Sequence, residues 1–187
     1  ANAYDFPAAK DGRVVLEKIK TGVPKGMSGF VFNTRRDFFK DQRVREALIR
    51  LFDFEAVNRN LYFGAFARSA SFFQGSMLSA VGKPASEAEK ALLAPFAASL
   101  REDVMAGTYL PPASDGTGRD RKALRAALDL LGAAGWKLQG TTLVNADGKP
   151  FAFEFMCKTA DEEKLALAYQ GTLKLVGITM TVRTVDS

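Results

Sequence analysis

Residues 64 to 76 read GAFARSASFFQGS. Arg68 stands among Phe66, Phe72 and Phe73 and the serines Ser69, Ser71 and Ser76, at neither helical nor strand period. Aromatic faces supply contact area, serine hydroxyls supply adaptable hydrogen bonds, and a guanidinium offers a planar fork of donors to a carboxylate or carbonyl. That is recognition chemistry. Bond-breaking would need a nucleophile or base poised by a partner, and the stretch holds none. The same residues also fit a plainer role, in which the phenyl rings pin a long loop to a core and Arg68 lies on the surface.

The chain has no histidine and one cysteine, Cys157. Without histidine, Ser-His and Cys-His nucleophiles and transition-metal sites are excluded within it, and neither a metal nor a cofactor is expected. One cysteine forms no internal disulfide. Carboxylate and lysine chemistry stay open, and a carboxylate-based hydrolase would need two acids roughly 5 to 9.5 Å apart in a cleft. Asp5, Asp11, Asp37 and Asp41 converge on no recognisable spacing. Glu87/Glu89 and Glu162/Glu163 fall in first helical turns, where the helix dipole accounts for them. SDGTG (114–118) lacks a phosphate-loop lysine and a preceding strand, and DGTGRD lacks the later ligands of a calcium loop.

The 187 residues are 47% hydrophobic and 25% charged, an ordinary globular composition that suits a single domain. The net charge of +5 is spread over Arg35, Arg36, Arg43, Arg45 and Arg50, then Arg119, Arg121, Lys122 and Arg125, with acids interrupting every cluster. Solvated helix faces explain this pattern. The alternative, a basic nucleic-acid-binding domain without enzymatic activity, requires a contiguous basic face, and no zinc-finger or RNP motif is present. No apolar run reaches about 18 residues, so no membrane-spanning helix is expected.

The elements that must position these residues are legible by period. GRVVLEKI (12–19) and GFVFNT (29–34) read as strands with a Gly/Pro-rich loop between them. From Asp41, a cap residue, Val44, Ala47, Leu48, Leu51 and Phe52 fall on one helical face. Asp53 caps a second, shorter helix, and Gly64 suits the position just past its end. Ser86 and Glu89 have capping-box spacing, and Pro95 should end or kink the helix they start. Residues 107–120 form an ordered loop. The helix at 120–135 turns Leu124, Ala127, Leu128 and Leu131 inward and stops at Gly135. Trp136 packs where that helix meets a strand, while Tyr62 fits a core or a cleft equally well. Asn145–Gly148 reads as a hairpin turn, followed by the alternating Phe151, Phe153 and Phe155. Thr159 and Glu162 open a helix whose apolar face is Leu165, Ala168, Tyr169, Leu173 and Val176, ended by Gly177. ITMTVRTVD is a strand by strict alternation. Strand, helix and strand with short joins predict a parallel βαβ unit.

Taken in order, Phe30–Thr34, RVREAL (43–48), Phe52-Asp53, Asn58, LYFG (61–64) and the Arg68–Phe73 loop resemble family 5 of the extracellular solute-binding proteins. These are the oligopeptide and dipeptide receptors of ABC importers, and the Yej-type peptide-binding branch is the most similar. ALDLLGAAGW, LVNADGKPFAFEF and GITMTVRTVD resemble the end of the same lobe, so the likeness covers nearly the whole chain.

The resemblance implies an α/β lobe of the type II periplasmic-binding-protein fold, with a mixed sheet flanked by helices. Residues 1–187 would form a single lobe excised from a two-lobe protein, lacking the first lobe and the C-terminal end. It implies a non-enzymatic, periplasmic or otherwise extracytoplasmic binder of peptides or peptide-like solutes, partnered by its missing first lobe and by ABC permease subunits of the inner membrane rather than by nucleic acid. Nickel- and haem-binding members are disfavoured by the absence of histidine. The expected ligand contacts are Asn33, Thr34, Arg68, Ser69, Ser71, Phe72 and Phe73, half of a surface whose other half the first lobe would supply.

Overall fold

The computed structural model describes residues 5–186 apart from positions 16, 18 and 20. In chain order its elements are α1 (Pro7–Lys10), α2 (Asp37–Lys40), α3 (Gln42–Leu51), α4 (Phe54–Tyr62) and α5 (Glu87–Leu93). A 3-10 segment (Ala94–Ser99) leads to α6 (Glu102–Met105), α7 (Arg121–Ala133), β1 (Lys137–Gln139), β2 (Thr142–Val144), β3 (Ala152–Cys157), α8 (Ala160–Lys174) and β4 (Thr179–Thr184). The chain clusters into two compact units: unit 1 comprises residues 1–27 and 71–108, and unit 2 comprises residues 28–70 and 109–187.

In unit 2 the helix starts follow from side-chain caps. Asp41 accepts from the Arg43 N–H, Asp53 from Ala56, and Asp120 from Lys122 and Ala123. Thr159 and Glu162 form the capping box that their spacing predicts. Each cap satisfies N–H groups that have no partner inside the helix, and contributes about 1 kcal/mol. Backbone donors from Ala123, Asp115 and Lys122 hold the Asp120 carboxyl below the usual carboxylate range.

The buried faces then pack together. Val44, Ala47, Leu48 and Leu51 of α3 join Ala127 and Leu131 of α7 and Tyr169 and Leu173 of α8 in one core. Burying each large aliphatic side chain contributes about 1.5–3 kcal/mol. Phe151 lies at the join, with Trp136 stacked on it at 4.4 Å between centroids, which is the packing role expected of Trp136. On α8 the expected inward face needs one correction. Ala166 is buried and Ala168 is exposed: the buried line of α8 runs through 166, 169 and 173, and the helix packs chiefly against β4 of its own βαβ unit.

The sheet is smaller than expected and divided. β1 and β2 form an antiparallel pair, and β3 and β4 a parallel pair with Ala152 opposite Thr179 and Cys157 opposite Thr184. β3–α8–β4 is therefore the expected parallel βαβ unit. The turn at Asn145–Gly148 folds back, with Asn145 N–H donating to Lys149 C=O and Phe151 N–H to Leu143 C=O, but it gives only a bridge between Val144 and Pro150, since the proline has no N–H to extend a ladder. Gly177 joins α8 to β4 at φ +79°, and its carbonyl accepts the Leu143 N–H at 2.8 Å, tying the hairpin to the βαβ unit.

The strand expected over 29–34 forms no ladder among the described residues. Phe30 and Phe32 still alternate inward around an exposed Val31, with Phe30 4.9 Å from both Phe155 and Tyr169. Side-chain packing is satisfied there without strand pairing. The strand expected over 12–19 falls partly outside the described residues, at 16 and 18; Val14 and Val15 are exposed and irregular.

In unit 1, α5 opens on the Ser86–Glu89 capping box and passes into 3-10 geometry at Ala94-Pro95, as the proline dictates. Lys25 N–H donates to Gln74 C=O, and Ala85 N–H to Met105 C=O, both at 2.8 Å.

Candidate functional site

The stretch that carries the recognition chemistry begins at the end of α4. Phe63 caps that helix in the left-handed region (φ 53°), and Gly64 follows at φ 74°. A non-glycine residue is uncommon there, and the Phe63 ring is 92% exposed. The turn is held by Asn58. Its side-chain amide donates to Phe66 C=O at 2.7 Å, and its carbonyl accepts Phe66 N–H at 3.1 Å. Tyr62 meets the Phe66 ring edge-on at 5.0 Å, which places it against this loop. Periodicity could not reveal the turn, because an amide clamp across it leaves no repeating pattern.

Arg68 is half-buried in unit 2. Its guanidinium donates to the carbonyls of Pro112 and Ile49 and rests 6.0 Å from the Phe52 ring centroid. Burial pulls it below the ordinary guanidinium value, opposed chiefly by Glu55. The fork therefore ties the 109–118 loop to the end of α3. Ser69 is half-buried beside it in sequence. Asn33 and Thr34 are exposed; the Asn33 carboxamide oxygen accepts the Arg35 N–H at 3.1 Å and shapes the turn into α2. Ser71, Phe72 and Phe73 belong to unit 1. There the Ser71 hydroxyl accepts the Phe73 N–H at 3.3 Å, and Phe72 is 75% exposed. The expected contacts are thus divided, Asn33, Thr34, Arg68 and Ser69 in one unit and the other three in the second.

A polar clamp that the sequence did not announce lies within electrostatic reach of Arg68, through Glu55 and Asp53. The buried Asp53 carboxylate accepts from Ala56 N–H (2.9 Å), from Gly118 N–H (2.7 Å) and from the Ser114 hydroxyl. Glu55 accepts from Ser114 N–H at 3.1 Å, and its carboxylate lies 2.6 Å from the Ser114 hydroxyl. Arg59 donates to Gly116 C=O. Donors surround both acids, so the pair fastens the SDGTG loop onto α4. Beside it lies an open groove of about 320 Å³, mostly apolar, lined by Phe52, Val57, Leu61, Tyr169 and Leu175 with Asn60 and Arg119. None of the expected ligand contacts lines it. Among the described residues no group of three or more His, Cys, Asp or Glu is placed to hold a metal.

The arrangement offers directed donors and open aromatic rings on a helical scaffold, which suits binding. The family model of the bacterial extracellular solute-binding proteins, family 5 Middle, matches residues 2–187. The chain belongs to this family. A binding-protein homologue in Brucella melitensis is 51% identical over 183 residues, covering 98% of this chain and 30% of that protein. The peptidoglycan-binding protein YepA of Agrobacterium fabrum is 45% identical over 184 residues, with the same coverage. A protein named YejA from the same organism, to which peptide binding is ascribed, is 37% identical over 98% of this chain and 30% of its own length. The likeness to the Yej-type branch is consistent with these relatives. The chain spans about 30% of the length of the curated relatives it matches.

Among solved structures, an ABC transporter substrate-binding protein from Sinorhizobium meliloti aligns with TM-score 0.58 and 26% identity, over 83% of this chain and 26% of that one. NikZ of Campylobacter jejuni, solved with Ni(L-His), aligns with TM-score 0.59 and 21% identity over 83% and 25%. These likenesses agree with a partial lobe of a family 5 solute-binding protein, built from helices and small sheets.

Proposed function

We propose that this chain is part of the substrate-binding component of an ABC importer, and that both of its units belong to one lobe of a two-lobe receptor. It takes a peptide or peptide-like solute outside the cytoplasmic membrane and delivers it to the permease, without catalysis. The observation that carries this reading is the match of the family model from residue 2 to residue 187. The names of two relatives, one peptide-binding and one peptidoglycan-binding, point to a ligand with a peptide portion, and peptidoglycan-derived peptides are the first to test.

In this reading Asn33, Thr34, Arg68, Ser69, Ser71, Phe72 and Phe73 contribute ligand contacts. Exposed rings such as Phe72 would cover apolar side chains. Exposed amide and hydroxyl groups such as those of Asn33 and Thr34 would meet the peptide backbone. Arg68 acts mainly by holding the loop that carries the others, since backbone carbonyls already engage its fork. Ligand touching both lobes favours the closed state by its differential affinity for it.

A thermal-shift screen of the full-length protein against peptides tests the reading. A rise in Tm with peptides supports it. A rise only with sugars or metal chelates would contradict it.

A further inference from the structure

Among the described residues, the buried apolar core lies entirely in unit 2. In unit 1, Gly107 is the only buried residue among the described ones. Its large apolar side chains are open instead: Met77 is 85% exposed, Leu78 64%, Leu92 76%, Phe96 62% and Val104 50%. Among its described residues, unit 1 is tied together by polar contacts. Gly82 N–H donates to Gly107 C=O at 2.8 Å, Lys83 Nζ to Met77 C=O at 2.6 Å, and Ser86 with Glu89 caps α5. Such bonds add little net stability, because water offers equivalent ones to the unfolded chain. Ordering these residues costs conformational entropy that only apolar burial offsets on the needed scale. A unit with this much open apolar surface, and no buried apolar side chain among its described residues, needs something to bury it.

Two features identify what that is. The family model matched is that of the family's middle section, and the relatives extend well beyond it, since the matched region is 30% of their length. A small-molecule site would also bring polar groups to convergence. Here they are engaged locally: Lys90 pairs with Glu87 at 2.8 Å, Arg101 with Asp103 at 2.7 Å, and the Ser76 hydroxyl donates to Phe73 C=O at 2.8 Å. A transient partner such as a permease would leave unit 1 coreless whenever it departed. A covalently continuous neighbour does not.

We propose that the Met77, Leu78, Leu92, Phe96 and Val104 surface of unit 1 is the seat of flanking polypeptide of the same protein, so that unit 1 completes its core only in the full-length chain. The inference rests on family membership and not on which solute is bound.

Hydrogen exchange of the ligand-free full-length protein, compared with this 187-residue chain, tests it directly. Amides of 87–105 are expected to exchange slowly in the full-length protein and fast in the shorter chain. Slow exchange in both would overturn the proposal, because the surface would then be buried within this chain. Fast exchange in the full-length protein would overturn it too, because flanking polypeptide would not cover the surface. In addition, Phe96→Asp is expected to lower the Tm of the ligand-free full-length protein, and an unchanged Tm would contradict the proposal.

Discussion

The Tyr169 hydroxyl donates to the Leu48 carbonyl at 2.7 Å, joining the middle of α8 to the last turn of α3 across 121 residues of sequence. Leu48 lies among the last carbonyls of its helix, which have no intrahelical partner. Tyr169→Phe keeps the ring packing and leaves that buried carbonyl unsatisfied. A loss of about 1–2 kcal/mol is expected by urea denaturation.

The same hydroxyl sets an alkaline limit. Burial pushes the Tyr169 phenol up from its ordinary value near 10. The folded state therefore keeps a proton that the unfolded state loses above about pH 10. Stability from this group is fully present below that pH and falls above it, by about 1.4 kcal/mol per pH unit. Between pH 9 and 11 this group should cost the parent chain about 1.4 kcal/mol in total, and denaturation across that range should show a smaller loss in Tyr169→Phe.

The Asp53 clamp is expected to be the costliest polar site to remove in unit 2. Asp53→Ala removes the α4 cap and strands the Gly118 N–H, while the Ser114 hydroxyl keeps Glu55 as its acceptor. The expected loss is about 2–4 kcal/mol, the sum of a cap and a buried unsatisfied donor. Proteolysis within 112–118 should quicken in parallel, whereas Asp115→Ala, an exposed neighbour, should have a small effect.

Arg68 separates two roles by which measurement changes. As the tie between Pro112 and Ile49, its replacement by Met should cost about 1.5–3 kcal/mol in ligand-free protein. Arg68→Lys should recover only part, because an ammonium lacks the planar fork. A variant of unchanged stability but weakened ligand affinity would show that Arg68 acts by touching the ligand.

Gly177 has a stricter requirement than an ordinary helix terminator. A Cβ there would lie 2.7 Å from the Leu143 N and 2.9 Å from the Thr141 O, and the backbone sits at φ +79°. Gly177→Ala combines left-handed strain with overpacking, so a loss of about 2–4 kcal/mol is expected. Gly135→Ala, at φ +89° with open space around it, should lose only the strain component.

What was legible in the sequence was local. Asp41, Asp53, Ser86 and Thr159 announced helix starts because a cap acts within three residues. The βαβ unit followed from alternation on either side of a long helix. What was hidden depended on distant partners. Residues 29–34 have the composition of a strand, yet a ladder needs a neighbour that sequence does not supply. Ala166 displaced Ala168 from the core because the tertiary neighbours of α8, β4 foremost, decide which side of it is inside.

The site was legible as a stretch but not as an arrangement. Its aromatic and serine content marked residues 64–76 correctly as irregular. Spacing could not show that Arg68 grips backbone carbonyls 44 and 19 residues away, or that Ser114 would sit between Asp53 and Glu55. The basic residues carried a similar ambiguity. Arg43 pairs with Asp41 and also donates to Ala133 C=O at 2.6 Å, and Arg45 donates to the Phe39 and Lys40 carbonyls. Both brace the fold, which composition alone could not distinguish from a binding face.

The measurement closest to the central claim is isothermal titration of the full-length protein with peptidoglycan-derived peptides and a mixed peptide pool, beside the 187-residue chain under the same conditions. The account predicts saturable binding by the full-length protein, weakened by Phe72→Ala, and weak or no binding by the shorter chain, which offers half a site. Tight peptide binding by the shorter chain alone, or no peptide binding by a folded full-length protein, would contradict it.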